Sequence, residues 1–587
     1  MKKLQKKLNE NDKTVLFLIF LIYLIHQTYY IFIGGTTWDE PASIFNGVKQ
    51  LQKAKLFILD NSNLALQNIQ GPEFYGGLIF IPAVMLTMSS RFIEIMSNIL
   101  SLSSLVNSNN PLEVALIVRH VFLNIYIILI LYICYLKLQN MIGKNKSIIF
   151  VLIFLLLPSI NGHGLFNFAD IPLMMQFLLA SIFYLSYLNN RDRNTVITLG
   201  FLFGLTLLTR LNAIAFLGAL TLFELVYVDR FNNKKFDKTL IKDLVLKNTK
   251  IYLISLIVLI IGSPSAWKNI FDWFYGSYIY QFQHPQKAPT VLNGKLIIAD
   301  EAPRTYLLEW FGYKLPIFVI AFFLFSIFLH IKNKNFGNIV TKFSLFFSIY
   351  VNFAFIVYNP VAYDEIRHYL FLVPFIVFLV IESLFFIFRK KESYLNISII
   401  VFVFYLVLTQ YGLQAYKYAY LNELVDSSKI SIECEDNLSQ SGCGDWHTDY
   451  WGFGGKQLYK ISKEYQKEVL YFCPPQFTYS LFQDEYRPWK LIGGSFSFDD
   501  SYTFAQDEII YYQSHMLEKI NADDFEEITF TSLNYHRPPT DSCGLTKLDR
   551  SKFDIECKIL DGVKVSLRGQ EIWINYLSEC NIQKLNT

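Results

Sequence analysis

Four groups of polar side chains interrupt an otherwise apolar chain, and each has the chemistry to handle a proton or an anion. Trp38-Asp39-Glu40-Pro41 sets two adjacent carboxylates just beyond the apolar run Val15 to Ile33. His163, Asn167 and Asp170 fall within the segment His163-Gly164-Leu165-Phe166-Asn167-Phe168-Ala169-Asp170-Ile171-Pro172. Tyr363-Asp364-Glu365-Ile366-Arg367-His368-Tyr369 brings a guanidinium and an imidazole together before another apolar run, and Arg210 stands alone between two more. A carboxylate within hydrogen-bond reach of a hydroxyl can take its proton as the hydroxyl attacks. Arg and His suit an anion, Arg because its planar fork is permanently charged. Asp39, Glu40 and Asp170 are therefore the catalytic candidates, and His163, Asn167, Arg210, Arg367 and His368 the substrate-binding ones.

Each group also has a plainer role. Asp39 and Asp170 both fit a helix N-cap with Pro inside the first turn. Capping needs one carboxylate, however, and a second beside a membrane surface adds a desolvation cost that capping does not explain. Asp364 and Arg367 fit a solvated ion pair, worth little to stability, and Arg210 fits a cation snorkelling at a helix end. If the chain from His163 is helical, the spacing i, i+4, i+7 puts His163, Asn167 and Asp170 on one face. Two or three such ligands make an incomplete metal set, so no cofactor follows and a divalent metal stays open.

The elements that must position these residues are membrane helices. With 53% hydrophobic, 17% aromatic and 17% charged residues, the chain repeats apolar runs long enough to cross about 30 Å of hydrocarbon. A net charge of +3 from scattered basic residues gives no footprint for nucleic acid. Val15 to Ile33 is too long for a secretory signal and reads as an uncleaved anchor. Further spans are expected at Val114 to Leu136, Ser147 to Ser159, Ile171 to Leu188, Thr195 to Thr209, Leu211 to Val228, Ile251 to Gly262, Leu315 to Ile331, Val340 to Tyr358, Tyr369 to Phe388 and Leu395 to Leu413, about eleven in all. Lys2, Lys3, Lys6, Lys7 and Lys13 place the N-terminus in the cytoplasm, and the later basic clusters fall in every second loop. Leu78 to Leu100, broken by Pro82, Arg91 and Glu94, would reverse that alternation if it spanned, so it is expected to lie in the interface. On this topology all four polar groups face outward.

From Ala415 onward the chain becomes polar and aromatic-rich and carries six of the seven cysteines: Cys434, Cys443, Cys473, Cys543, Cys557 and Cys580. Six cysteines in an exported segment point to disulfides, with fifteen connectivities open. Short β-rich runs from Glu468 to Tyr576 beside a helix at Gly455 to Tyr465 describe a small α/β domain. The expected organisation is a transmembrane module over residues 1–414, with outer loops 34–113 and 263–314, and an exported α/β domain over 415–587. The loop Ser263 to Lys314 is rich in Trp and Tyr, which suits an interfacial belt or stacking on sugar faces. Asp449-Tyr450-Trp451-Gly452 reads as a packing corner rather than a site.

The chain resembles the bacterial branch of the family 39 glycosyltransferases, membrane enzymes of the C superfamily (GT-C) fold related to protein O-mannosyltransferases and aminoarabinose transferase. The matching pieces are Trp38-Asp39-Glu40-Pro41, His163 to Pro172 with its Asn-x-x-Asp-Ile-Pro core, and Tyr363 to His368; Tyr418 to Leu424 and Asp449 to Gly452 resemble a tail found in part of that family. The resemblance implies a polyprenyl-phosphate sugar donor, an inverting displacement at the anomeric carbon, and a general base in the first outer loop. Asp39 would be that base. Arg367, His368 or Arg210 would neutralise the leaving phosphate, and Asp170 would orient the acceptor or a metal. Where the family often has Lys, this chain has Ala169. The expected partners are the lipid-linked donor, a glycan, lipid or protein hydroxyl acceptor, and membrane lipids, at the plasma or inner membrane with the C-terminal domain outside. The competing class is a transporter or flippase for lipid-linked sugars, which would place its charges near the middle of the spans.

Overall fold

The computed structural model describes residues 2–35, 37, 40, 50–51, 53–54, 90–101, 111–190, 194–231, 238–282, 289–293, 295–333, 336–426, 430, 446, 448–462, 464, 469–473, 504–506, 509–513, 527–535 and 553–584. Among these, seven helices are long and apolar enough to cross a membrane: Asp12–Ile33, Glu113–Leu138, Asp170–Leu188, Leu244–Ile261, Ile339–Tyr358, Arg367–Ile387 and Glu392–Leu413. The chain is a multi-pass helical membrane protein. Hydrocarbon offers no partner for peptide groups, so each span satisfies its own N–H and C=O groups as a helix. The other four expected spans are also helical, but their described apolar stretches are short: Lys144–Leu156, Thr195–Thr209, Ile214–Tyr227 and Ile317–Lys332. Length and hydropathy thus support seven spans where about eleven were expected.

Of the segment expected to lie in the interface, Ser90–Leu100 is described. It is an amphipathic helix with Arg91, Glu94, Ile95 and Ile99 exposed and Leu100 buried. Eleven residues rise only about 16 Å, too little to cross the bilayer.

Lipid-facing and core-facing sides separate cleanly. Phe17, Ile22 and Ile25 of the first helix and Ile397, Ile400 and Phe404 of the last span remain exposed, as surfaces turned to acyl chains. By contrast, Val373–Ile387 is buried nearly all round, the signature of a central helix. Its Phe378 stacks on Phe150 with ring centroids 4.1 Å apart, and its Phe375 joins Phe177, Phe216 and Phe347. Asp170–Leu188 and Arg367–Ile387 are the most buried of the candidate spans. Each begins at a residue singled out for its chemistry.

Buried amides tie the helices together where apolar packing gives no direction. Gln27 donates to Asn161 Oδ1 at 2.7 Å, and Asn161 donates to Gln410 Oε1 at 2.8 Å, which links the first helix, the short helix Pro158–His163 and the last span. Near the same end, β1 (Pro289–Leu292) and β2 (Lys295–Ile298) form a hairpin followed by the helix Tyr306–Lys314.

The C-terminal region combines the helix Gly455–Ser462 with a six-stranded mixed sheet. Its strands are β3 (Val469–Cys473), β4 (Phe504–Gln506), β5 (Ile509–Gln513), β6 (Glu527–Tyr535), β7 (Phe553–Leu567) and β8 (Gln570–Lys584), in the order β4-β5-β3-β6-β8-β7. β3 runs parallel to both neighbours, and β8 runs antiparallel to β6 and β7. Cys434, Cys443 and Cys543 lie outside the described residues.

Candidate active site

The segment from His163 to Asp170 is a turn between two helices rather than one helix. Pro158–His163 ends at His163 and the next helix starts at Asp170, so the expected shared helical face does not exist. The turn itself gathers the three side chains. Asn167 Oδ1 accepts from the backbone N–H of Asp170 at 2.8 Å and of Ala169 at 3.2 Å, which caps the new helix. Asn167 Nδ2 then donates to Asp170 Oδ2 at 3.1 Å and lies 3.3 Å from His163 Nδ1. Asn167 therefore does the capping, which leaves the Asp170 carboxylate for other partners.

Those partners come from two distant segments. Arg210 Nη2 donates to Asp170 Oδ1 at 2.6 Å, and His368 Nδ1 lies 3.7 Å from the same oxygen. Arg210 is thus half of a part-buried ion pair, not a snorkelling cation. Arg367 Nη1 pairs with Asp364 Oδ2 at 3.2 Å, and Arg367 Nε donates to His368 Nε2 at 3.1 Å. Asp364 and Arg367 are buried, so this pair is not the solvated one that the sequence allows. Asp364 and Glu365 both take positive φ, 53° and 64°, a conformation rare for residues other than Gly. That backbone turn sends Asp364 to Arg367 and Glu365 to Lys314, whose Nζ is 2.6 Å from Glu365 Oε2.

A second, neighbouring network holds the first loop. Glu40 is buried; its Oε1 is 2.6 Å from His120 Nε2 and 3.9 Å from Arg119 Nη1. Its Oε2 accepts from the Thr37 amide at 2.8 Å. Burial pushes the Glu40 carboxyl upward, but His120, Arg119 and the Thr37 amide together hold it below the usual carboxylate range. Arg119 also lies over the Phe168 ring at 4.6 Å, so the two networks share a wall. Asp39 lies outside the described residues.

Of the candidates named from sequence, His163, Asn167, Asp170, Arg210, Arg367 and His368 form one connected cluster, and Glu40 belongs to the adjacent network. Sequence reasoning missed Arg119 and His120, which sit inside the helix Pro111–Leu138. The available signal was an adjacent Arg and His within an apolar span. It also passed over Glu365, whose carboxyl is pushed up to about 7 by burial against the pull of Lys314, while burial lowers the Lys314 ammonium. The His163 imidazole is lowered to about 3 by burial and is neutral.

The helices also hold charge elsewhere. Glu224 pairs with Lys247 and accepts from the Tyr184 hydroxyl. Tyr184 lies at the far end of the helix that Asp170 begins, roughly 20 Å away by the helical rise. Among the described residues no group of three or more His, Cys, Asp or Glu is arranged to hold a metal. The Asp170 oxygens already serve Arg210, His368 and Asn167.

Asp449-Tyr450-Trp451-Gly452 is more than a corner. Tyr450 Oη lies 3.3 Å from His163 Nε2, and the Arg367 guanidinium lies 4.4 Å from the Trp451 ring centroid. The C-terminal region thus closes over the cluster.

No family model and no curated protein matches the chain. Among solved structures it is similar to the apo crystal structure of ArnT from Cupriavidus metallidurans, at 13% identity over 68% of this chain and 64% of that one, with a TM-score of 0.40. It is also similar to the apo form of the Archaeoglobus fulgidus oligosaccharyltransferase, at 12% identity over 80% of this chain and 63% of that one, with a TM-score of 0.44. The archaeal oligosaccharyltransferase AglB from the same organism, in complex with an inhibitory peptide and a dolichol-phosphate, matches at 10% identity over 80% and 63%, with a TM-score of 0.44. The chain spans just under two thirds of the length of each of these proteins.

Proposed function

We propose that this chain is an inverting membrane glycosyltransferase that moves a sugar from a polyprenyl-phosphate donor to a hydroxyl acceptor at the outer face of the membrane. The observation that carries this reading is the convergence of Glu40, His163, Asp170, Arg210, Arg367 and His368 at one end of the helical bundle. These residues come from four separate stretches of chain and are buried or nearly so. A lipid-linked substrate presents its phosphate at that level while its tail stays among the helices.

In the proposed step the acceptor oxygen attacks the anomeric carbon, and Asp39 takes the hydroxyl proton. The bond from the anomeric carbon to the phosphate oxygen breaks, and its electron pair leaves with the lipid phosphate. That phosphate needs charge neutralisation and no acid, which suits Arg367 and Arg210, with His368 as a hydrogen-bond partner. Asp170 keeps Arg210 in place through their ion pair. His120 and Arg119 grip Glu40 and so fix the chain next to Asp39.

The test uses purified protein in nanodiscs with a polyprenyl-phosphate sugar and its acceptor. Asp39→Asn should lower transfer by roughly 100-fold or more without loss of folding, because Asn keeps the size and capping ability but not the basicity. Near-normal transfer by that variant would sink Asp39 as the base. Movement of the lipid-linked sugar between leaflets of a liposome, with no transfer, would favour the flippase instead.

A further inference from the structure

The C-terminal region reaches the charged cluster through one tight corner. Thr448 Oγ1 donates to the Trp573 carbonyl at 2.7 Å, which fixes the approach to strand β8. Asp449 then acts as a hub: it accepts from the Tyr418 hydroxyl at 2.5 Å, the Phe453 and Gly454 amides at 2.9 and 3.0 Å, and Asn575 Nδ2 at 3.1 Å. Gly452 at φ 72° lets the chain double back after Trp451, a conformation that a side chain would strain. On the membrane side, Lys456 pairs with Glu113 and donates to the Phe32 carbonyl at 3.2 Å, while the Gly35 amide donates to the Phe453 carbonyl at 2.9 Å. The corner is therefore anchored to the sheet on one side and to the ends of two helices on the other.

What this anchoring presents is an aromatic clamp on a cation. The Arg367 guanidinium carbon lies 4.4 Å from the Trp451 ring centroid and 5.3 Å from that of Tyr363. Packing alone would not need a guanidinium against two rings, since an aliphatic chain fills such a space without the desolvation of a charge. The rings engage the guanidinium by its faces and leave its N–H edge for hydrogen bonds, of which Nη1 pairs with Asp364 Oδ2 at 3.2 Å and Nε donates to His368 Nε2 at 3.1 Å. Tyr450 adds a hydrogen bond to His163 on the neighbouring turn.

We propose that Tyr450 and Trp451 are positioning residues of the outer-face site: Trp451 orients Arg367 toward the donor phosphate, and Tyr450 fixes His163. The inference rests on the glycosyl-transfer reading for its substrate, and it makes the C-terminal region part of donor recognition. The cation–π contact sets the size of the effect. At about 0.5–2 kcal/mol it corresponds to a change between about 2- and 30-fold in donor affinity.

The experiment compares Trp451→Phe, Trp451→Leu and Tyr450→Phe in the full-length protein in nanodiscs. It reads donor KM, acceptor KM, kcat, equilibrium binding of polyprenyl phosphate, and melting temperature. Trp451→Leu keeps an apolar side chain but no ring face; it should raise donor KM and weaken polyprenyl-phosphate binding by about 2- to 30-fold, lower kcat by no more than that factor, and leave acceptor KM within about twofold. Trp451→Phe should recover most of the donor affinity at an equal or lower melting temperature. Equal donor KM for the Phe and Leu variants, or losses that follow melting temperature alone, would overturn the proposal. Wild-type protein that binds polyprenyl phosphate through Trp451 but transfers no sugar would overturn the transferase reading and leave the clamp standing. Wild-type protein that does not bind polyprenyl phosphate would overturn the clamp's role.

Discussion

Asp170 and Arg210 are forty residues apart in sequence and meet at 2.6 Å, one at the start of a central helix and the other in the tight turn after Asn194–Thr209. Asp170 is almost wholly buried and Arg210 is 16% exposed, so neither ion is well solvated without the other. Removing one partner of a buried pair strands the remaining charge, at about 3–5 kcal/mol. Asp170→Asn and Arg210→Met should each lower thermal stability and transfer. The double variant should be less destabilised than the sum of the two, with a coupling of about 1.5 kcal/mol or more. Additivity within about 0.5 kcal/mol would mean that the pair contributes little as a pair.

Much of this site was legible because its residues violate their surroundings: a His, an Asp or an Arg beside apolar runs stands out in any window. Their mutual contacts were not legible. The spacing would put His163, Asn167 and Asp170 on one face if the segment were helical, but the Asn167 side chain competes with the backbone, caps a new helix and turns the chain. Arg119 and His120 carried the same signal but were passed over, because the run from Val114 is apolar enough to read as a plain span. The sheet in the C-terminal region was visible as alternating runs. The contact of Trp451 with Arg367 was not, since pairing between residues 84 positions apart (451 − 367) depends on how that region docks.

Glu40 illustrates how a supporting residue can be tested apart from the proposed base. Its folded carboxyl is held below its ordinary value, so the folded state binds fewer protons than the unfolded chain near pH 4. The stabilisation is present above the unfolded value of about 4.3 and is lost as pH falls through the folded one. Glu40→Gln should therefore be less stable than wild type at pH 6 to 8, and the gap should narrow below about pH 4. Melting curves across that range check this. A gap that widens on acidification would show that His120 and Arg119 do not hold Glu40 ionised. Transfer should fall less than in Asp39→Asn.

Lys417 gives a second window, of the same sign but on the alkaline side. Burial lowers its ammonium to about 7; its Nζ lies 2.9 Å from His26 Nε2 and 4.0 Å from the Tyr30 ring centroid. The unfolded chain holds this proton up to about pH 10.4, whereas the folded protein gives it up near 7. Stability should rise with pH through that interval, because the unfolded state binds more protons there. Lys417→Met should raise the melting temperature at pH 6.5 and flatten its increase toward pH 9. An unchanged slope in the variant would assign the pH dependence to other groups.

The register of the C-terminal sheet singles out one cysteine pairing among the fifteen that the sequence leaves open. β7 and β8 run antiparallel, with Cys557 directly opposite Cys580. Opposed positions in such a pair have Cα atoms about 4.5–5.5 Å apart, within the range of about 4.4–6.8 Å that a disulfide spans. If the region is exported, as the alternation of basic loops implies, the compartment is oxidising and the bond should form. Alkylation of denatured, unreduced protein followed by peptide mass spectrometry should recover Cys557 and Cys580 in one crosslinked species that separates on reduction. Free alkylation of both would place the sheet in a reducing compartment and reverse the inferred orientation. A crosslink from Cys557 to a different cysteine would instead overturn the register between β7 and β8.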